Sequence, residues 1–282
     1  MELTLFEQLI YSVIQITMLD ENGTPRGTAS GFIGSFCDNP DKKTHVPVIV
    51  TNRHVLSNCN KISVVFTRAT ESNEPDRGHT VSAVISTAQS VFHPDIKTDL
   101  AVLPLAQTFY KLDKEGAFPF FRYLPLSLIP SSEEWEQFDA IEEVIMAGYP
   151  RGIRDPVNNL PILRRGITAT HPSYNFNGTP EFLVDMPCFE GCSGSPVFII
   201  QQGAIFDPRK NSVNIGKDRI FLLGVQHAIP LSQAVGSLEL LPSEQPSIVP
   251  KPVVPMYLNL GYIVKSTELL AFDDILRVPS GL

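Results

Sequence analysis

The apolar runs of this chain constrain its fold more than any other feature, because nearly all are short, rich in β-branched residues and closed by turn residues. They are SVIQITML (12–19), VPVIVT (46–51), KISVVF (61–66), VSAVIST (81–87), LAVLPL (100–105), EEVIMAG (142–148), EFLVDM (181–186), PVFII (196–200), RIFLLGVQ (219–226) and MYLNLGYIV (256–264). Strands of this length between turn signals predict an all-β sandwich or a pair of barrels. The 24 prolines and 18 glycines among 282 residues supply the turns and disfavour a helical bundle. No strand–helix alternation of the kind a parallel sheet needs is present. Two helices are expected, one near residues 3–10 and one at 266–276 (STELLAFDDIL), capped by Ser266 or Thr267. Residues 109–143 read as an irregular connection between two halves, and 204–218 as a hairpin excursion. Residues 236–255, with five prolines, read as an extended loop of polyproline II character.

Charge narrows the partners. Lys and Arg total 22 against 30 Asp and Glu, a net charge of −8, which disfavours nucleic acid and anionic membranes. No run of 18 apolar residues predicts a membrane span. The N-terminus carries Glu2, lacks a basic segment and is interrupted by Glu7, Gln8 and Gln15, unlike a secretory signal. A soluble cytoplasmic protein with reduced thiols is expected. Cys37, Cys59, Cys188 and Cys192 lie 22, 129 and 4 positions apart, which matches no common zinc spacing, so neither a metal nor another cofactor is expected.

Three segments carry chemistry: His54 after VIVTN, Asp99 at the entrance to LAVLPL, and Ser193 between glycines in EGCSGSP. A serine hydroxyl is a weak nucleophile until an imidazole takes its proton, and a buried carboxylate holds that imidazole in one tautomer. Gly191 permits a sharp turn that aims amides at a developing oxyanion, and Gly194 keeps the surroundings open. Asp95 is the rival carboxylate, but it follows Pro94 in a turn, whereas Asp99 leads the buried strand.

These segments resemble the trypsin-like (chymotrypsin-fold) serine peptidases, most closely the bacterial HtrA/Deg branch. The motifs are Thr51-Asn52-Arg53-His54-Val55, Asp99-Leu100-Ala101-Val102, Gly148-Tyr149-Pro150-Arg151-Gly152 and Gly191-Cys192-Ser193-Gly194-Ser195-Pro196. Asp185 lies upstream of the serine, and NLGYIVKSTELL (259–270) is similar to the closing strand and helix. The resemblance spans roughly residues 10–276. It implies two six-stranded antiparallel β-barrels with a C-terminal helix, over 1–115 (first barrel, with the N-terminal helix) and 116–282 (linker, second barrel, C-terminal helix), together one peptidase domain. It also implies His54 as general base and acid, Asp99 as its orienter, Ser193 as nucleophile, and the N–H groups of Gly191 and Ser193 as the oxyanion hole. A serine endopeptidase taking protein or peptide substrates follows, and a regulated processing role toward a dedicated protein partner is a further expectation.

The departures matter too. Cys192 stands before the serine where Asn or Asp is usual, and Ser195 replaces the second glycine. Trypsin-like enzymes with basic specificity carry Asp six positions before the nucleophile; here 193 − 6 = 187 is Pro187. Pro187, Gln226 and His227 are the candidate substrate-binding residues. No PDZ module is expected to follow. Cys192 is either an inert small residue or an oxidation switch. His45, His79, His93 and His171 are expected to be solvated, and Arg151, Arg154, Arg164 and Arg165 to lie on solvated faces or anchor loops. Two other readings stay open: an inactive binding module on the same fold, and an α/β-hydrolase esterase, which would need a helix rather than PVFII after the serine.

Overall fold

A computed structural model describes residues 3–39, 41–42, 44–207, 211–216, 218–235 and 253–277. Antiparallel strands dominate it. The first half contains β1 (Val13–Leu19), β2 (Pro25–Asn39), β3 (Thr44–Thr51), β4 (Lys61–Ala69), β5 (Pro75–Ser86), β6 (Val91–Phe92) and β7 (Ala101–Pro104), hydrogen-bonded in the order β5-β4-β1-β2-β3-β7-β6. Two short strands join this sheet, β8 (Pro119–Phe120) on β4 and β9 (Leu124–Pro125) on β2, so the first half extends past residue 115.

The second half contains β10 (Glu143–Gly148), β11 (Ile162–Thr168), β12 (Glu181–Asp185), β13 (Pro196–Gln201), the hairpin β14–β15 (Ala204–Asp207, Ser212–Ile215), β16 (Arg219–Ala228), the pair β17–β18 (Leu231–Val235, Val253–Tyr257) and β19 (Leu260–Lys265). Strands β10-β11-β12-β19-β16-β13 close into a six-stranded antiparallel barrel. Within the expected excursion at 204–218, Ala204–Asp207 and Ser212–Ile215 pair antiparallel. Of the proline-rich stretch, 236–252 lies outside the described residues, and 253–255 belong to β18.

Side-chain alternation explains why the halves pack together. Strand β2 is buried on both faces. Ala29 and Ile33 point into the first core with Ile14, Ile16 and Ile49, while Phe32 and Phe36 join Tyr149, Phe198, Leu222, Val264 and Phe272 in a core shared between the halves. Likewise β13 sends Val197 and Ile199 into its own barrel and Phe198 into the shared core. Each such large apolar side chain contributes about 1.5–3 kcal/mol of burial. The two halves are therefore held in fixed register by this shared core.

Among the described residues, five α-helices decorate the sheets: α1 (Leu5–Ile10), α2 (Arg53–Ser57), α3 (Ala106–Lys114), α4 (Ser132–Gln137) and α5 (Leu270–Arg277). Helix α1 starts with a capping box, in which Thr4 accepts from the Glu7 N–H and Glu7 accepts from the Thr4 N–H. The connection at 109–143 is more ordered than its sequence suggests. It holds most of α3, both short strands and α4, which has its own capping box at Ser131 and Glu134. The C-terminal helix begins differently from the expectation. Ser266–Leu269 form a 3₁₀ turn with Lys265 at its start, and neither Ser266 nor Thr267 caps α5. Helix α5 docks on β2, where the Cys37 N–H donates to Asp273 Oδ1 at 2.5 Å. His93 also departs from the expected solvation. It is buried, edge-on to Phe272, with Nε2 3.5 Å from Glu268 Oε2. No described helix is long and apolar enough to cross a membrane.

Candidate active site

His54 is supplied by β3, but not from within the strand. Strand β3 ends at Thr51, Asn52 turns the chain, and His54 sits in the first turn of α2. Asp99 lies two residues before β7, which pairs with β3 and so brings the aspartate beside the histidine. His54 Nδ1 lies 2.6 Å from Asp99 Oδ2, and the His54 N–H donates to Asp99 Oδ1 at 3.0 Å. Both carboxylate oxygens are thus engaged by one residue. Asn52 Nδ2 donates to the Asp99 carbonyl at 2.7 Å and fixes the backbone there. With the Nδ1 proton committed to the carboxylate, the neutral ring leaves Nε2 as an acceptor. Burial works to raise the Asp99 pKa, but the His227 and His54 imidazoles outweigh it and hold the carboxyl well below the usual range. Asp95 is spent elsewhere, with Oδ1 accepting from the Lys97 N–H.

Ser193 comes from the turn before β13. Gly191 (φ +86°) and Gly194 (φ +88°) both adopt left-handed backbone. A Cβ on Gly191 would meet the Tyr149 carbonyl at 2.6 Å, and one on Gly194 the Ser30 carbonyl at 2.0 Å, so both positions demand glycine for space as well as for φ. The Glu190 carbonyl accepts from the Arg151 N–H at 2.6 Å. Because a trans peptide directs its C=O and N–H oppositely, this turns the Gly191 N–H away from Arg151. Neither the Gly191 N–H nor the Ser193 N–H has a hydrogen-bond acceptor among the described residues. Two free amides on one turn, flanking the nucleophile, are suited to an oxyanion.

A residue of the first half holds this turn. Ser30, on β2 and wholly buried, donates its N–H to the Ser193 carbonyl at 2.8 Å and its Oγ–H to the Gly191 carbonyl at 2.8 Å. Its Oγ also accepts from the Tyr149 N–H at 2.8 Å, and its carbonyl accepts from Thr51 Oγ1 at 2.8 Å. Ser30 was not foreseen from sequence. Tyr149, Gly191 and Ser193 lie more than a hundred positions away and Thr51 lies on another strand, so no local signal marks it.

Ser193 Oγ donates to the His227 carbonyl at 3.5 Å and makes no hydrogen bond to His54. Such catalytic bonds are often long until substrate binds. Pro187 is exposed, and its carbonyl accepts from Arg164 Nη1. The Arg164 and Arg151 guanidiniums lie 4.9 and 5.4 Å from the centre of the Phe189 ring. Gln226 is buried and donates to the Ala228 carbonyl at 3.1 Å. The His227 side chain is turned to carboxylates, with Nδ1 3.7 Å from Asp99 Oδ2 and Nε2 3.2 Å from Glu181 Oε1. Glu181 was likewise not foreseen.

Cys192 is fully buried, as is Cys188, and burial raises both thiols, Cys188 to about 12. A protonated thiol without solvent access is a poor redox switch, so the inert alternative fits Cys192. Among the described residues, no group of three His, Cys, Asp or Glu side chains is placed to hold a metal.

Residues 29–206 match the family described as the trypsin-like peptidase domain. No curated protein matches the sequence. Among solved structures, the chain is similar to the MamO protease domain from Magnetospirillum magneticum, with 16% identity over 95% of this chain and 98% of that one and a TM-score of 0.45. It is similar to the Rv3671c protease from M. tuberculosis, with 14% identity over 97% and 83% and a TM-score of 0.45. It is also similar to HL collagenase, with 12% identity over 96% and 95% and a TM-score of 0.49.

Proposed function

We propose, from the premise that this chain belongs to the trypsin-like peptidase domain family, that it is a serine endopeptidase using Ser193, His54 and Asp99. The observation that carries this reading is the 2.6 Å contact between His54 Nδ1 and Asp99 Oδ2, beside a serine whose flanking amides are free. His54 Nε2 takes the Ser193 Oγ proton as Oγ attacks the scissile carbonyl. The N–H groups of Gly191 and Ser193 donate to the oxyanion. His54 then protonates the leaving amine, and a water activated by the same ring releases the acyl group. The lowered Asp99 pKa keeps this carboxylate ionised, so it stabilises the imidazolium formed in each step.

A basic P1 residue is disfavoured, since Pro187 offers no charge and Arg164 and Arg151 flank the neighbouring Phe189. Protein or peptide substrates follow from the reaction, and a regulated role toward a dedicated partner in a bacterial cytoplasm is the finer form of the same proposal. The test is a peptide-library cleavage profile of the wild-type chain against Ser193→Ala. Cleavage confined to the wild type supports the reading. A second reading, an inactive binding module, draws on the absence of a Ser193–His54 hydrogen bond. Identical, silent profiles for both proteins would favour it.

A further inference from the structure

Asp99 contacts two imidazoles, and only His54 has a part in the chemistry above. His227 reaches it through a backbone irregularity. Strand β16 pairs with β19 as Gln226 opposite Ile263 and Ala228 opposite Tyr262, so His227 is an extra, unpaired residue, a β-bulge. Bulges re-aim side chains beside active sites. This one turns His227 toward the first half of the molecule, where Nδ1 lies 3.7 Å from Asp99 Oδ2. Nε2 lies 3.2 Å from Glu181 Oε1, at the start of β12. The His227 and Glu181 side chains are only 14% and 15% exposed. The charged groups facing His227 are Asp99 from the loop before β7 and Glu181 from β12. Among the described residues, Tyr262 of β19 also packs against it, with its ring centre 6.2 Å away.

We infer that His227 is a positioning residue, an imidazolium held between Asp99 and Glu181, that tempers the pull of the shared aspartate on His54. Two carboxylates flanking a neutral ring would repel each other in a poorly hydrated site, and a cation between them removes that cost. Burial alone would depress the His227 pKa, but the two carboxylates prevail and raise it to about 9. The consequence for His54 follows from charge. A cation on the far side of Asp99 weakens the pull of that carboxylate on the His54 imidazolium. The kinetic consequence rests on the peptidase reading; the charge state of His227 does not.

The test has two arms. Ring-nitrogen NMR of the histidines in the full chain carrying Ser193→Ala is followed from pH 5 to 10, with His227 assigned by its loss in His227→Gln. A midpoint near 9 that falls by at least one pH unit in Glu181→Gln is expected. A midpoint near 6.5 overturns the inference. In the second arm, the acid limb of kcat/KM is measured for the wild type, His227→Gln and Glu181→Gln. Loss of the cation should move that limb up by roughly one pH unit in His227→Gln, whereas in Glu181→Gln His227 is still protonated across the acid limb and the limb should not move up. A limb that stays in place in His227→Gln, or that moves up equally in both variants, overturns the inference. A wild-type protein without activity contradicts the peptidase reading instead, and the NMR arm still decides the state of His227.

Discussion

Ser30→Ala tests how the two halves build one site. Ser30 Oγ bridges Tyr149 N–H and Gly191 C=O, both at 2.8 Å and without access to water. Alanine fits the same space and keeps the backbone bond to Ser193, so the change removes two hydrogen bonds and leaves two buried partners unpaired. Each orphaned group costs about 1–3 kcal/mol, or ~2–6 kcal/mol together. At about 2–4 °C per kcal/mol for a chain of this size, the thermal midpoint should fall by roughly 5–20 °C. Ser30→Cys, which keeps a weak donor, should fall between alanine and wild type. Differential scanning calorimetry reads the loss. The labelling rate at Ser193, measured well below the midpoint, reads whether the turn has loosened. A midpoint within ~1 °C of wild type would refute the bridging role of Ser30.

Three further outcomes are expected. Gly194→Ala brings a Cβ to 2.0 Å from the Ser30 carbonyl and 2.4 Å from Thr51 Oγ1 at a φ of +88°, so this variant should be recovered in inclusion bodies or with a strongly lowered midpoint; wild-type calorimetry would contradict the packing. Because the folded His227 pKa is raised to about 9 from 6.5, its stabilisation is complete below about 6.5 and is lost as pH rises through 9. It amounts to at most ~3 kcal/mol, and His227→Gln should flatten this part of the stability–pH curve in urea unfolding. Alkylation of the native protein at neutral pH, read by peptide mass spectrometry, should spare Cys188 and Cys192 and modify them only in denaturant; rapid modification of native Cys192 would contradict their burial.

What sequence could supply was local. His54, Asp99 and Ser193 each head a short motif next to a recognisable apolar strand, and β3 pairing with β7 makes the first two neighbours. The longest strand, β2, escaped because Gly27, Gly31, Gly34, Ser30 and Ser35 give it weak strand propensity. Its glycines answer to tertiary packing. A Cβ on Gly31 would fall 2.9 Å from the Val50 carbonyl and from Ile16. Ser30 and Glu181 carry no local mark, since their roles come from residues on other strands. His227 could be placed near the substrate by resemblance, but its bulge, and hence its aim at Asp99, depends on register with β19. The solvated expectation for His93 failed for a similar reason, as Phe272 and Glu268 reach it only when the C-terminal segment docks.

The most direct measurement is covalent labelling with a fluorophosphonate followed by peptide mass spectrometry. We expect a single adduct on Ser193, absent from Ser193→Ala and formed roughly 10⁴-fold more slowly in Asp99→Asn. An unlabelled wild-type chain, under conditions that label a known serine peptidase, would contradict a working nucleophile at this turn.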